Sequence, residues 1–231
     1  MNEVPAILRR LNDWNAVLAL AALALSVGLG SALPSAVLGF ASLLTFHVVC
    51  RPRERRFAGL GVANTLTLLR LLIVFLASLA FWTTPPLFAV GAALVLLLDG
   101  VDGWAARRLG EASKFGAYFD METDAHLILM LCLVLYLAGG LGAWVLLPGA
   151  LRYAFVVARQ LRGTQPARER RSQFGRVAFF TLAVALLLAC LPPLQAISSA
   201  LVGVGMLPGL VSFSQDFRGL LRGAGADIEG G

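Results

Sequence analysis

Charge is scarce in this sequence: Asp, Glu, Lys and Arg make up 14% of its 231 residues, while 58% are apolar and the mean hydropathy is +0.81. A soluble domain carries about a quarter of its residues as charges, so composition excludes that class and points to a membrane protein. Cysteine is scarcer still, with three residues, Cys50, Cys132 and Cys190, in or beside apolar runs. None stands in a CxxC or Cys/His spacing, which excludes a thiolate metal site and leaves buried packing. The net charge is +6, a surplus that on a soluble chain would raise nucleic acid as a partner. Here the basic residues stand between apolar segments, which favours anionic lipid head groups and phosphate-bearing substrates and sets nucleic acid aside.

Long apolar runs are what the chain has instead. Residues 1–15, with Arg9 and Arg10, read as a short amphipathic lead-in, and apolar runs follow at 16–30 and 35–49. Each falls a little short of the roughly 20 residues that span a bilayer, so a tight helical hairpin is expected. A cleaved signal peptide is the competing reading of the first run, and the second run directly behind it argues against that. A basic linker at 51–56 and an interfacial segment to Ala63 precede six spans, at 64–83, 86–106, 116–138, 142–161, 174–191 and 194–213. The expected fold is therefore an all-α polytopic integral membrane protein with six core transmembrane helices plus an N-terminal helical hairpin. Its parts are an N-terminal extension at 1–56, a membrane domain at 57–217 and a disordered tail at 218–231.

Basic residues test this layout. The loops near 31–34, 83–86, 138–143 and 191–195 contain no Lys or Arg, so all 19 basic residues fall on the other side or at helix ends beside it, except Arg70, Arg152 and Arg159. By the positive-inside rule, both termini lie in the cytoplasm, as in a bacterial-type inner membrane. Trp14, Trp82, Trp104 and Trp144 fall near span ends, where belt anchors belong.

The charge that the chain does hold is concentrated. Between Asp99 and Asp124, 26 residues contain four aspartates, four glycines and two arginines. At roughly 100° per residue, Asp99, Asp102, Gly103 and Ala106 share one helical stripe, and Gly116, Asp120 and Asp124 another. Two such helices facing each other converge four carboxylates, which cannot all stay ionised at close range without a cation among them. Solvated helix ends are the plain alternative; they account for Glu111 and Lys114, but not for acids continuous with apolar runs and sharing faces with glycine. An all-oxygen ligand set suits Mg²⁺ or Mn²⁺, and two such ions are a standard arrangement for displacement at phosphorus.

The spacing Asp-x2-Asp-Gly-x2-Ala-Arg-x8-Gly-x3-Asp-x3-Asp is filled without a gap. It resembles the signature of the CDP-alcohol phosphotransferase (CDP-alcohol phosphatidyltransferase) family, membrane enzymes that build phospholipid head groups. The resemblance implies transfer of a substituted phosphoryl group from a CDP-alcohol, CDP-diacylglycerol above all, to an alcohol acceptor with release of CMP. It implies that Asp99, Asp102, Asp120 and Asp124 hold the two metal ions and that Asp124 also serves as the base. Gly103 and Gly116 would leave room for the cytidine, Ala106 would line the same surface, and Arg107 would meet the phosphates. It also implies a homodimer.

Outside the motif, Asn64-Thr65-Leu66-Thr67-Leu68-Leu69-Arg70 is similar to a run at the start of the family's first core helix, with Ala63 where proline is common. A helix cap at Asn64 is the structural reading; the functional one adds Asn64 and Thr67 to the substrate site. Arg152 and Arg159, seven apart, share a helix face. They read either as structural pairs, with Glu122 a partner for Arg152, or as an anion pocket for a phosphorylated acceptor such as glycerol 3-phosphate or an inositol phosphate. Glu122 sits about 200° round the helix from Asp120 and stays outside the site. His126 reads as a packing residue. The rival function is a divalent-cation transporter or channel using the same aspartates, which midplane acids and broken helices would favour. A family member that has lost activity is a third reading, which the complete motif disfavours.

Overall fold

Residues 6–50, 62–108, 113–161 and 173–226 are described by the structure, a computed structural model. Among them it is all-helical, with no strand. The eight α-helices are α1 (Ala6–Leu29), α2 (Leu33–Cys50), α3 (Val62–Phe81), α4 (Pro85–Arg108), α5 (Lys114–Leu137), α6 (Leu146–Leu161), α7 (Gln173–Ala189) and α8 (Ser198–Ala226). Short 3₁₀ turns, Ala143–Val145 and Pro192–Ile197, lead into α6 and α8.

Among the described residues, four helical stretches are long and apolar enough to cross a membrane: Ile7–Leu29, Leu33–Cys50, Asn64–Phe81 and Pro192–Ser214. In α4 and α7 the apolar stretches are shorter, Pro85–Val101 and Gly175–Ala189. α5 carries Asp120, Glu122 and Asp124, and α6 has only 16 residues. The chain is thus a helical membrane protein with the acid-bearing α5 inside the bundle.

α5 is the centre. It packs against α1, α2, α3, α4, α6 and α7, and every residue from Leu127 to Leu135 is buried. A helix apolar on all sides has no face to give to solvent, and here every side meets a neighbour. α6 approaches α5 at Gly149, where a Cβ would stand 2.9 Å from the Leu129 Cα. α2 approaches it at Gly39, where a Cβ would collide with the His126 ring. Small residues at these crossings let the backbones close up, as they do between membrane helices. Gly30 and Gly139, at φ of 62° and 73°, turn the chain out of α1 and α5 in the left-handed region that favours glycine.

Two boundaries differ from the sequence reading. The lead-in is not separate from the first run: from Ala6 it belongs to α1, because Leu8, Asn12, Asn15, Ala16 and Ala19 continue one buried stripe. The tail expected to be disordered from 218 is helical to Ala226. Phe217, Leu220 and Leu221 keep the i, i+3, i+4 spacing of a helix into the first turn of this segment. The linker at 51–56, the arginines at 162, 168, 170 and 171, and residues 227–231 lie outside the described residues.

Candidate active site

α3 buries one stripe made of Asn64, Thr67, Arg70, Leu71, Val74, Ala77 and Ser78. Its arginine is the surprise: Arg70 is 0% exposed. A bare guanidinium at that depth is expensive, so its partners define the place. Nη1 lies 3.0 Å from Asp99 Oδ1 on α4 and 2.8 Å from Asp120 Oδ1 on α5, and Nη2 donates to Asp124 Oδ1 one turn further along α5. Asp120 and Asp124 share a face because they are four apart on a helix. Asp99 joins them where α4 passes beside both.

One oxygen from each of Asp99, Asp120 and Asp124 can be chosen so that all lie within 4.8 Å of one another. These side chains are 36%, 20% and 17% exposed, whereas Arg70 is sealed beneath them. The carboxylates therefore open outward and the arginine forms the floor. Three hard oxygen donors at this spacing fit an oxygen-ligated divalent cation such as Mg²⁺ or Mn²⁺. Asp102, Gly103, Ala106 and Arg107 continue α4 in helical backbone, but their side chains lie outside the described residues.

Asn64 and Gly116 meet at the start of α5. Ser113 caps that helix, its Oγ accepting the Gly116 N–H at 3.0 Å. A Cβ at Gly116 would stand 3.1 Å from both Asn64 Oδ1 and Ser113 Oγ. The glycine thus has a packing role beside any role in making room for a nucleotide. Asn64 is the third residue of α3, which starts at Val62, so it is not the helix cap. Both Asn64 and Thr67 are buried.

The structure does not bring Arg152 and Arg159 to the aspartates. Glu122 leaves α5 on the other side, as its 200° offset predicts, and meets Arg152 of α6 there. Glu122 Oε2 also accepts the Asn15 amide at 2.6 Å, and Asn15 Oδ1 accepts the Ser42 hydroxyl at 2.7 Å. Arg159 lies 3.9 Å from Asp13 of α1. Of the two sequence readings, the structural pairing is the observed one. The shared face of these arginines meets α1 and the back of α5, not the carboxylate cluster. His126 is buried, its ring against Gly39, as a packing residue.

Arg70 is the site residue that sequence reasoning left unassigned. Its signal was present, an arginine deep in an apolar run, together with four carboxylates in want of a cation.

Apolar helices that gather outward-opening carboxylates around a buried arginine define an integral membrane protein with a candidate divalent-metal centre. The sequence model described as CDP-alcohol phosphatidyltransferase matches residues 60–211, a stretch holding Arg70 and all four motif aspartates, and the chain belongs to that family. It is 39% identical over 75 residues to CDP-diacylglycerol–inositol 3-phosphatidyltransferase 1 of Arabidopsis thaliana, covering 32% of this chain and 33% of that protein. Archaetidylinositol phosphate synthase of Pyrococcus horikoshii is 38% identical over 81 residues, 33% of this chain and 43% of its own. CDP-diacylglycerol–glycerol-3-phosphate 3-phosphatidyltransferase of Pseudomonas fluorescens is 29% identical over 125 residues, 51% and 59% of the two chains. The chain thus covers less than two thirds of each of these relatives. No solved structure matches it.

Proposed function

We propose that the chain is a phospholipid-synthesising transferase that moves a phosphatidyl group from CDP-diacylglycerol to an alcohol, releasing CMP. The observation that carries this reading is the convergence of Asp99, Asp120 and Asp124 within a region matched by the family. Asp102 completes the ligand set from the next turn of α4. Two divalent ions bound there would neutralise the diphosphate and stabilise the departing nucleotide. Asp124 takes the proton from the acceptor hydroxyl as that oxygen attacks the phosphorus next to the lipid and the bond to CMP breaks. Arg107, a fixed cationic fork, meets the phosphates; Gly103, Ala106, Asn64, Thr67 and Gly116 shape the nucleotide's side of the site.

The acceptor is an alcohol that itself carries phosphate, such as glycerol 3-phosphate or an inositol phosphate. Support comes from the arginines between α6 and α7 and from the relative whose name specifies glycerol 3-phosphate, while the Arabidopsis relative's name specifies inositol without phosphate and so marks the competing acceptor. In the membrane, α3 to α8 form six core spans, α1 and α2 form the added hairpin, and the aspartates face the cytoplasm with both termini. Two copies pair as a homodimer, by likeness to the family alone.

Purified protein in detergent, given CDP-diacylglycerol, Mn²⁺ and one alcohol at a time, tests the reading by chromatography of the lipid product. A phosphorylated alcohol is expected to appear in a new phospholipid, with unphosphorylated inositol a poorer acceptor. Folded protein that makes no lipid product with any alcohol would overturn it and turn attention to cation passage.

A further inference from the structure

We infer that Arg70 is a resident counter-cation that holds Asp99, Asp120 and Asp124 in register and, by competing with divalent ions for them, sets how tightly the centre takes metal. The inference rests on the proposed metal role of these aspartates and adds a part for a residue outside the aspartate motif.

Three observations support it. First, one guanidinium spans ligands from two helices: Nη1 is shared by Asp99 and Asp120, while Nη2 reaches Asp124. Guanidinium is planar with donors on fixed directions, so it fixes the carboxylates' relative positions as well as their charge. Second, Arg70 cannot leave. Its side chain is 0% exposed, and its neighbour Leu71 and the next-turn Val74 are equally sealed in the α3 interface. A metal arriving through the partly exposed carboxylates would meet a positive charge already seated below them. Third, that charge is permanent, because arginine does not deprotonate in proteins. Two like charges a few ångströms apart repel, so the arginine lowers metal affinity while keeping the metal-free carboxylates from driving the helices apart. Arg70 is therefore a positioning residue, acting on the reaction through the metal ligands.

The test is the melting temperature of the full chain in detergent, after chelation with EDTA and along a Mn²⁺ titration at constant ionic strength. Arg70→Gln is expected to melt lower than wild type without metal and to reach its half-maximal shift at about a tenth of the wild-type Mn²⁺ concentration or less. Arg70→Lys keeps the charge but cannot bridge three carboxylates. It is expected to melt lower without metal and to keep a midpoint within about threefold of wild type. A midpoint that stays put or rises in Arg70→Gln overturns the inference, since lost packing alone would lower the melt without tightening metal. Should Arg70→Gln not fold, Arg70→Lys decides: a metal-free melt equal to wild type overturns the inference. Wild-type protein with no Mn²⁺-dependent shift overturns it as well. CMP release by the same preparation is read separately. A metal shift without CMP release sinks the proposed reaction and leaves Arg70 its role; CMP release with an unmoved midpoint does the reverse.

Discussion

Replacing Arg152 with Met strips the charge partner from Glu122, a side chain that is only 2% exposed. Removing one member of a buried ion pair costs about 3–5 kcal/mol, most of it the burden of the charge left behind. Two features lower that figure here. Asn15 still donates to Glu122 Oε2 at 2.6 Å, and Arg152 is 27% exposed, so water reaches the space it vacates. A cost of about 2–3 kcal/mol follows, which for a chain of this length lowers the melting temperature by about 5–10 °C. The double variant Glu122→Leu with Arg152→Met removes both charges and is expected to lose about half as much, since no ion is stranded. Melting in detergent, followed by circular dichroism, measures both. A single variant that melts like wild type, or a double variant worse than the single, would refute the view of Glu122 as a buried carboxylate that depends on Arg152.

Further expectations concern the helix crossings. Gly149→Ala places a Cβ 2.9 Å from the Leu129 Cα; the backbone must shift, and an overpacking cost of about 1–3 kcal/mol outweighs the helix propensity gained. Its melt should fall below wild type, and a rise would contradict the close α5–α6 crossing. Gly39→Ala drives a methyl into the His126 ring, so it should destabilise alone and much less when combined with His126→Ala. Equal melts for the single and double variants would place that ring elsewhere.

Sequence carries the carboxylates further than it carries their partners. Asp120 and Asp124 are legible because four-residue spacing on a helix leaves one face for both, and Glu122 is legible as an outsider by the same rotation. Which helix an intramembrane arginine faces is a tertiary matter. Arg70 and Arg152 look alike in sequence, each a cation well inside an apolar helix, yet one faces the aspartate cluster and the other the back of α5. Asn15 and Ser42 were hidden for a related reason. They sit in the added N-terminal helices, outside residues 60–211, and no local pattern tells an asparagine that caps a buried glutamate from one at an interface. The bundle itself follows from the apolar runs and the glycine and proline turns. Its last boundary did not: a disordered tail was expected from 218, whereas the helix runs on to Ala226.

The central claim is that the aspartates of α4 and α5 run a metal-dependent transfer, and CMP release by wild type and Asp124→Asn, with and without Mn²⁺, tests it most directly. Wild type should release CMP from CDP-diacylglycerol only when metal and a suitable alcohol are both present. Asp124→Asn, folded as judged by its melt, should be slower by a factor of about 100 or more. CMP release that ignores the metal, or an Asp124→Asn protein as fast as wild type, would contradict it.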